Sequence, residues 1–229
     1  MEICVICVSV ICGYPCRVES QLRRHNLPAE FWKCGRLQLE TCNLKLETAW
    51  VQSSRHIVNL ALIGFMGTGK TSVGRLVAEQ LHFEYLDTDD VIQSQTGRTI
   101  TEIFSTDGEA AFRQMESDLV GNLAARTKTV VSTGGGLPAN LQNLDNLKTH
   151  ALVVCLWASP EKIWERVKNQ AHRPLLHDAD PQKKIRELLA LREPYYKKAD
   201  VLVNTELRSV REVAQQVVHQ FRLEAGSGR

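Results

Sequence analysis

One stretch of eight residues has the spacing G-x-x-x-x-G-K-[ST] of a phosphate-binding loop. It runs from Gly64 to Thr71, after a short apolar run and before an amphipathic segment, which is the context that the motif requires. Glycines let the backbone curl so that successive N–H groups point at phosphate oxygens, and the following helix adds the positive end of its dipole. In this motif the lysine, here Lys70, bridges the β- and γ-phosphates of a nucleotide, and the Thr71 hydroxyl binds Mg²⁺. The residues that we expect to hold the nucleotide are Gly67, Thr68, Gly69, Lys70, Thr71 and Ser72.

The phosphate loop alone does not name a reaction, because GTPases, ATPases and kinases share it. A glycine-rich turn that matches by chance is the alternative, and we expect such a match in about one chain per hundred of this length. The flanking strand and helix make a chance match rarer still. The rest of the chain has to decide which reaction the nucleotide serves.

A run of carboxylates ends the second apolar stretch, at Asp87-Thr88-Asp89-Asp90. If this stretch is a parallel strand, its end lies at the carboxyl edge of the sheet, near the phosphates. Alternation along an extended strand then predicts Asp87 and Asp89 on the same side. One of the two can serve the hydrated Mg²⁺, and the other can face a substrate hydroxyl. For Asp90 the pattern favours a helix N-cap, which is also the alternative for the other two.

Three glycines and two arginines complete the set of candidate residues. Gly134, Gly135 and Gly136 end the third apolar stretch, where glycine permits close approach of the backbone to a ligand, or simply forms a turn. Arg113 lies on a predicted helix after Gly108, and Arg192 lies in the sequence Leu-Arg-Glu-Pro. Taken singly, an arginine of this kind is most often a solvated surface charge.

The elements that must position these residues alternate short apolar runs with longer amphipathic stretches, a pattern typical of βαβ units and a parallel sheet. Three helix starts are marked, by a capping box at Thr99 and Glu102 and by Ser159-Pro160 and Asp180-Pro181. The last helix is predicted over residues 209–223. The predicted strands are Val58–Gly64, Glu84–Asp89, Thr129–Thr133, Leu152–Ala158 and Val201–Asn204.

Length and charge limit the function classes. The chain has 229 residues, enough for one well-buried domain and an appendage. Its net charge of +2 does not indicate binding to nucleic acid or to an acidic membrane surface. No apolar run approaches the roughly 20 residues that span a bilayer. We therefore expect a cytoplasmic protein, and a monomer, with no nucleic-acid or membrane partner.

The cysteines set the first 56 residues apart. Six of the seven precede residue 50. A disulfide framework or a zinc site would explain such clustering, but only four residues separate Cys7 from Cys12, too few for an ordinary zinc loop. We interpret residues 1–56 as an appendage of unknown role, residues 57–223 as the folded domain and residues 224–229 as a disordered tail. Cys155 lies in an apolar run and is expected to be a buried thiol.

In order and spacing, these residues resemble the shikimate kinase family. The resemblance covers about residues 58–223, and the chain departs from the usual pattern at Tyr195, where leucine is usual, and at Leu137, where a smaller residue is common. The matching motifs are Gly64–Thr71, Asp87-Thr88-Asp89, Asp107-Gly108-Glu109 with Phe112-Arg113, Gly134–Gly136, Arg173-Pro174-Leu175-Leu176 and Arg192.

The resemblance implies an α/β fold of the nucleoside-monophosphate-kinase type, in three layers, with a five-stranded parallel sheet flanked by helices. The implied reaction is transfer of a phosphoryl group from ATP, with Mg²⁺, to the 3-hydroxyl of shikimate in aromatic amino acid biosynthesis. On the acceptor side, Asp89 is implied to bind the shikimate hydroxyls, Arg113 and Arg192 its carboxylate, and Gly134–Gly136 to contact it through the backbone of Gly135.

On the nucleotide side, the resemblance implies a mobile lid over ATP at about residues 170–181. Arg173 of this lid is expected to reach the ATP phosphates and, with Lys70 and Asp89, to be catalytic. Arg208 falls where an adenine-side arginine occurs.

Two other classes of function remain open. A related kinase acting on gluconate or a nucleoside monophosphate would have the same phosphate loop. A phosphate acceptor is already ionised and needs no base such as Asp89. Gluconate has a carboxylate and hydroxyls, and the ordered set of motifs, rather than its chemistry, argues against it. A non-catalytic nucleotide-binding module is the second alternative. Such a module would be expected to lack Lys70, Asp89 or an acceptor arginine, all of which are present.

Overall fold

A computed structural model describes residues 55–168 and 180–226. Its centre is a five-stranded sheet in which all neighbouring strands are parallel, in the order β2-β3-β1-β4-β5. The predicted α/β class and the five parallel strands are confirmed. The strands are β1 (Asn59–Ile63), β2 (Glu84–Asp87), β3 (Thr129–Ser132), β4 (Ala151–Trp157) and β5 (Val201–Asn204).

Helices cover both faces of this sheet. The strands β1, β3 and β4 are buried along their whole length except at Trp157, because a parallel sheet with helices on both sides has two dry faces. The helices are α1 (Lys70–Leu81), α2 (Thr88–Thr96), α3 (Ile100–Thr106), α4 (Gly108–Leu123), α5 (Leu141–His150), α6 (Pro160–Val167), α7 (Pro181–Tyr196) and α8 (Val210–Gly226), with a short 3₁₀ helix at Leu137–Ala139.

Alternate residues of β1 pack into two separate hydrophobic cores, one on each face of the sheet. Leu60 and Leu62 pack on one face with apolar residues of α1 and α8. Ala61 and Ile63 pack on the other face with residues of α4, α5, α6 and α7. The period of two along the strand therefore decides which helix layer each side chain meets. A third, smaller cluster joins α2, α3 and α4 through Ile92, Ile103 and Phe112.

The predicted helix starts agree with the structure. Thr99 and Glu102 form a reciprocal capping box, with the Thr99 N–H donating to Glu102 Oε2 at 2.7 Å. Ser159 and Asp180 each cap the next helix with a side-chain oxygen, and a proline follows in the first turn. These local signals position the helices without help from the rest of the fold.

Two boundaries differ from the prediction by more than one residue. β2 ends at Asp87 rather than Asp89, because the Asp87 carboxylate caps α2 and the chain turns helical at Thr88. At the other end α8 continues to Gly226, so the first residues of the predicted tail are helical. Ala225 packs against the core of the α1–α8 face, which explains the extension.

No helix among the described residues is long and apolar enough to cross a membrane.

The described part begins with Arg55, whose guanidinium pairs with Asp200 at 3.1 Å and donates to the Lys148 carbonyl at 3.0 Å. The domain boundary expected at residue 57 would therefore cut through a contact, and Arg55 is the better first residue for a shortened chain.

A chain that begins at Arg55 offers a test of the appendage hypothesis, because Cys155 is then its only cysteine. Cys155 is fully buried, and burial raises the pKa of its thiol to about 12. We expect this chain to melt cooperatively and to react with a thiol reagent at pH 8 only on the timescale of unfolding. The measurements are circular dichroism and release of thionitrobenzoate. Rapid labelling of the native chain, or failure to fold, would show that residues 1–54 complete the core.

Candidate active site

The phosphate-loop motif forms the connection between β1 and α1. Two of its glycines are required by geometry. Gly69 caps α1 with φ 95°, and Gly64 has φ 139° with the position of a Cβ atom only 2.3 Å from the Leu156 carbonyl oxygen. A side chain at either position would strain the loop. The loop therefore takes the tight course that its motif predicts.

Two side chains of the loop bond to its own backbone. Lys70 Nζ donates to the carbonyl oxygens of Gly64 at 2.9 Å and Phe65 at 3.0 Å. The buried Thr68 hydroxyl also donates to the Phe65 carbonyl, at 2.8 Å. The two Lys70 bonds hold its ammonium group against the backbone of the loop, where it adds positive charge.

The first turn of α1 is open to solvent. Thr71 and Ser72 are both exposed there, and Gly69 has no side chain to cap the turn. The positive end of the helix dipole and the adjacent Lys70 favour an anion at this position. The arrangement is suited to phosphate oxygens.

A cleft of about 850 Å³ lies along the carboxyl edge of the sheet and contains most of the residues singled out from the sequence. Arg113 and Gly136 are not among the residues that line it; they lie against each other, next to the lining residue Gly135. The predicted site residues that line the cleft are Gly67, Thr68, Gly69, Lys70, Thr71, Ser72, Asp87, Asp89, Gly134, Gly135, Arg192 and Arg208.

The two aspartates are adjacent for a reason other than the one that the sequence suggested. Asp87 ends β2, and its Oδ1 accepts from the Asp89 N–H at 3.1 Å. Asp89 lies in the first turn of α2, not on the strand. The prediction that Asp90 caps this helix was wrong, because Asp87 is the cap and Asp90 is exposed in the first turn. Tyr85 holds the other Asp87 oxygen, with its hydroxyl 3.2 Å from Oδ2.

Asp89 is a carboxylate in an unfavourable environment. Burial raises the pKa of the Asp89 carboxyl and the charge of Asp87 raises it further, while Lys70 and Arg113 act in the opposite direction. Its Oδ1 is buried without a hydrogen-bond partner among the described residues. A buried carboxylate oxygen of this kind gains free energy when a hydroxyl group donates to it.

Arg113 is held by two glutamates of its own helix. Its guanidinium pairs with Glu116 at 2.7 Å and with Glu109 at 2.8 Å, and it lies over the ring of Phe112 at 5.4 Å. The Arg113 side chain keeps 31% of its surface exposed. The α4 helix therefore presents a fixed guanidinium with part of its edge open to solvent.

Glu116 is a site residue that the sequence analysis missed. It is fully buried, and burial raises the pKa of its carboxyl, against the opposing effect of Arg113. Its Oε1, like Asp89 Oδ1, is buried without a partner among the described residues. The available signal was a glutamate one turn after Arg113, in line with the buried positions Phe112 and Leu119 of α4.

The triple glycine lies where these side chains converge. The position of a Cβ atom on Gly134 is 2.8 Å from both Asp89 Oδ1 and Glu116 Oε1. A Cβ on Gly136 would lie 2.6 Å from the Arg113 guanidinium. Any larger residue at these two positions would displace a charged group. Gly134 and Gly136 are therefore glycines because the site fills the space of their side chains, whereas a Cβ on Gly135 would be at ordinary contact distance.

Arg192 reaches the same turn from α7. Its Nη1 lies 3.5 Å from the position of a Cβ on Gly135, and its guanidinium lies 5.6 Å from the centroid of the Phe65 ring. Arg192 is half-buried, and it lines the cleft together with Asp89 and Gly134. The cleft thus contains a half-buried carboxylate and a guanidinium beside a bare backbone.

Arg166 is a second residue that the sequence analysis missed. It lines the cleft from α6 and donates to the Gly67 carbonyl at 3.2 Å and to the Thr205 hydroxyl at 3.0 Å. It thereby ties the phosphate loop to the loop that follows β5. Arg208, on that same loop, donates to Gln216 of α8 at 2.6 Å. No motif marks Arg166, and only its contacts in the fold identify it.

Residues 169–179, with Arg173 and the neighbouring His172 and His177, lie outside the described residues. The predicted role of Arg173 therefore stays a prediction. Of the predicted lid, only Asp180 and Pro181 are described, as the start of α7.

Comparisons with known proteins agree on one family. A family model described as shikimate kinase matches residues 66–222. The shikimate kinase of Thermodesulfovibrio yellowstonii is 44% identical over 163 residues, which are 71% of this chain and 94% of that protein. A gluconokinase structure from Sinorhizobium meliloti, at 17% identity and a TM-score of 0.50, covers 75% of this chain and 95% of its own and shares the fold alone.

A solved structure of the same family is more similar to this chain than the gluconokinase structure is. The shikimate kinase from Acinetobacter baumannii in complex with shikimate is 36% identical with a TM-score of 0.68. The match covers 74% of this chain and 95% of that one. The family model covers more than half of the chain, and the relatives match it over nearly their whole length. The chain belongs to the shikimate kinase family.

Proposed function

We propose that the domain of residues 57–223 transfers the γ-phosphoryl group of ATP to the 3-hydroxyl of shikimate, giving ADP and 3-phosphoshikimate. The observation that carries this proposal is one cleft that Lys70 of the phosphate loop lines together with the half-buried Asp89, Arg192 and bare glycine backbone. Phosphoryl transfer requires chiefly positioning and charge stabilisation, and these groups provide both. The family membership of the chain supports the same reaction.

On the nucleotide side, the N–H groups of Gly67–Ser72 receive the ATP phosphates, and Lys70 moves from its backbone partners to the β- and γ-phosphates. Arg166 and Arg208 lie at the end of the cleft formed by the β5–α8 loop, where the adenine would lie. Arg173 is proposed to add a further positive charge to the transferring phosphoryl group.

Thr71 and Asp87 are proposed to hold Mg²⁺ on the nucleotide. Asp87 lines the cleft with Thr71, and each Asp87 oxygen has one protein hydrogen bond, which leaves lone pairs for a hydrated cation. Within residues 55–168 and 180–226, no cluster of three His, Cys, Asp or Glu side chains could hold a metal ion alone. The two oxygen donors fit Mg²⁺, which usually takes its other ligands from substrate phosphates and water. When bound, the ion would neutralise charge on the ATP phosphates.

On the acceptor side, Asp89 Oδ1 accepts the proton of the reacting hydroxyl or orients it toward the γ-phosphate. Arg113 and Arg192 hold the carboxylate of shikimate, and the backbone of Gly134–Gly136 forms the floor between them. A bidentate guanidinium pairs with a carboxylate at low cost in side-chain entropy, because its donors form a rigid fork. Arg113 is already fixed by Glu116, so it is ordered before the substrate binds.

The acceptor decides between this proposal and its alternatives. We expect release of ADP when the chain is mixed with ATP, Mg²⁺ and shikimate, and little release above background with gluconate, AMP or CMP. A coupled assay of ADP formation measures it. Turnover with gluconate alone would reassign the acceptor, and binding of ATP without turnover on any acceptor would favour a nucleotide-binding module.

Asp89 and Asp90 form a matched pair for a test of the proposed base. Asparagine keeps the shape of aspartate but is a poor proton acceptor, so Asp89→Asn should lower kcat by about 10²–10⁴. The KM for ATP should barely change, because the phosphate contacts belong to the loop. Asp90→Asn alters only an exposed first-turn charge and should leave turnover near that of the wild type. The reverse pattern in steady-state kinetics would place the acceptor site one residue further along α2.

Gly134→Ala tests whether the bare backbone is required. Its methyl group would stand 2.8 Å from the Asp89 and Glu116 oxygens, so we expect kcat/KM for shikimate to fall by about 10², the usual cost of a displacement near 1 Å. Gly121→Ala is the control, since a Cβ there meets nothing within 4 Å and α4 gains a better helix former. Equal activities in the two variants would contradict the proposed geometry.

A further inference from the structure

Tyr196 is the last residue of α7 and is almost fully buried, with 2% of its surface exposed. It belongs to the apolar core between the sheet and the helices α4 to α7. Burial raises the pKa of its hydroxyl, so the group is a neutral donor throughout the physiological range. A phenol buried in such surroundings needs a hydrogen-bond partner.

The partner is the carbonyl oxygen of Gly135, at 2.7 Å from the Tyr196 hydroxyl. The other two carbonyls of the triple glycine accept from the backbone of the 3₁₀ turn, Gly134 from the Leu137 N–H and Gly136 from the Ala139 N–H. The turn thus supplies the partners of its outer carbonyls, and α7 supplies that of the middle one.

Gly135 is also the residue that Arg192 approaches. Arg192 lies one turn before Tyr196 on α7, and its Nη1 is 3.5 Å from the position of a Cβ on Gly135. The same helix face therefore bonds the Gly135 carbonyl and brings a guanidinium close to the side of Gly135 where a side chain would stand. The hydrogen bond sets the distance between the triple glycine and the arginine proposed to hold the substrate carboxylate.

The conformational freedom of glycine makes this hydrogen bond matter. Nothing in the Gly135 residue itself fixes the rotation of its peptide plane, because glycine has no side chain. With the carbonyl held by Tyr196, the Gly136 N–H of the same trans peptide must point away from α7. Without that bond, the orientation of the peptide plane relative to the adjacent Arg192 is no longer fixed.

We propose that Tyr196 is a positioning residue of the acceptor site, holding the Gly135 carbonyl and with it the spacing between the triple glycine and Arg192. This inference rests on the proposed function, because it assigns Tyr196 to the shikimate side of that same cleft. Tyr196 is not among the residues that line the cleft, and so it acts on the site through Gly135.

The test compares Tyr196→Phe with Tyr195→Phe in the full chain. Phenylalanine keeps the buried ring of Tyr196 and removes only the hydroxyl. We expect Tyr196→Phe to raise the KM for shikimate by about three- to tenfold, the range of one lost hydrogen bond, with the KM for ATP unchanged. Tyr195→Phe, a half-buried neighbour on the same helix, should leave both constants at the wild-type values.

Three measurements distinguish the possible outcomes. Wild-type turnover with shikimate is recorded first, and its absence would count against the proposed function rather than against Tyr196. If the wild type turns over and Tyr196→Phe lowers the melting temperature with an unchanged KM for shikimate, the hydroxyl serves only stability and the inference fails. Equal rises in the KM of both substrates would also overturn it, because they would indicate a general disturbance of the cleft.

Discussion

Charged side chains from two helices fill the space beside two glycines, Gly134 and Gly136, and most of the acceptor side of the cleft follows from that contact. Asp89 of α2 and Glu116 of α4 meet Gly134, and Arg113 of α4 meets Gly136. The carboxylates approach within 2.8 Å of where a methyl group would stand, closer than real Cβ contacts allow. Backbone without side chains at the end of β3 is therefore the condition under which α2 and α4 can bring their charged groups to one point.

Burial makes these charges costly, and their arrangement limits the cost. A buried ion pair commonly gains little net stability, because each partner loses its hydration. Glu116 is fully buried, and the part-exposed Arg113 offsets its charge from the same helix. Asp89 has a weaker offset, through Lys70 and Arg113, and stays destabilised by Asp87. The site thus keeps one carboxylate paired and leaves the other open to a donor from a ligand.

Local signals in the sequence predicted the elements but not every contact at the site. The capping residues Thr99, Ser159 and Asp180 were correctly placed, because a cap depends only on the next few residues. The end of β2 was misplaced by two residues, since an aspartate that caps a helix and one that continues a strand look alike in sequence. Glu116 and Arg166 were missed because their contacts depend on the fold. Glu116 meets Gly134, and Arg166 joins Gly67 to Thr205.

The two edges of the sheet differ in how fully their buried polar side chains are hydrogen-bonded. At the amino edge, the buried Asn59 side chain is fully engaged: its amide donates to the Arg126 carbonyl and bonds the His150 ring, and its oxygen accepts from the Thr129 N–H. The remaining buried atom there without a described partner, His150 Nε2, belongs to a neutral ring, because burial lowers the pKa of that histidine.

At the carboxyl edge the buried atoms without described partners are carboxylate oxygens, those of Asp89 and Glu116. A carboxylate oxygen deprived of hydrogen bonds costs more free energy than a neutral ring nitrogen. The fold concentrates this cost where shikimate hydroxyls are proposed to bind. A ligand that donates to these oxygens recovers it, and so the edge of the sheet that bears this cost is also the edge prepared to bind.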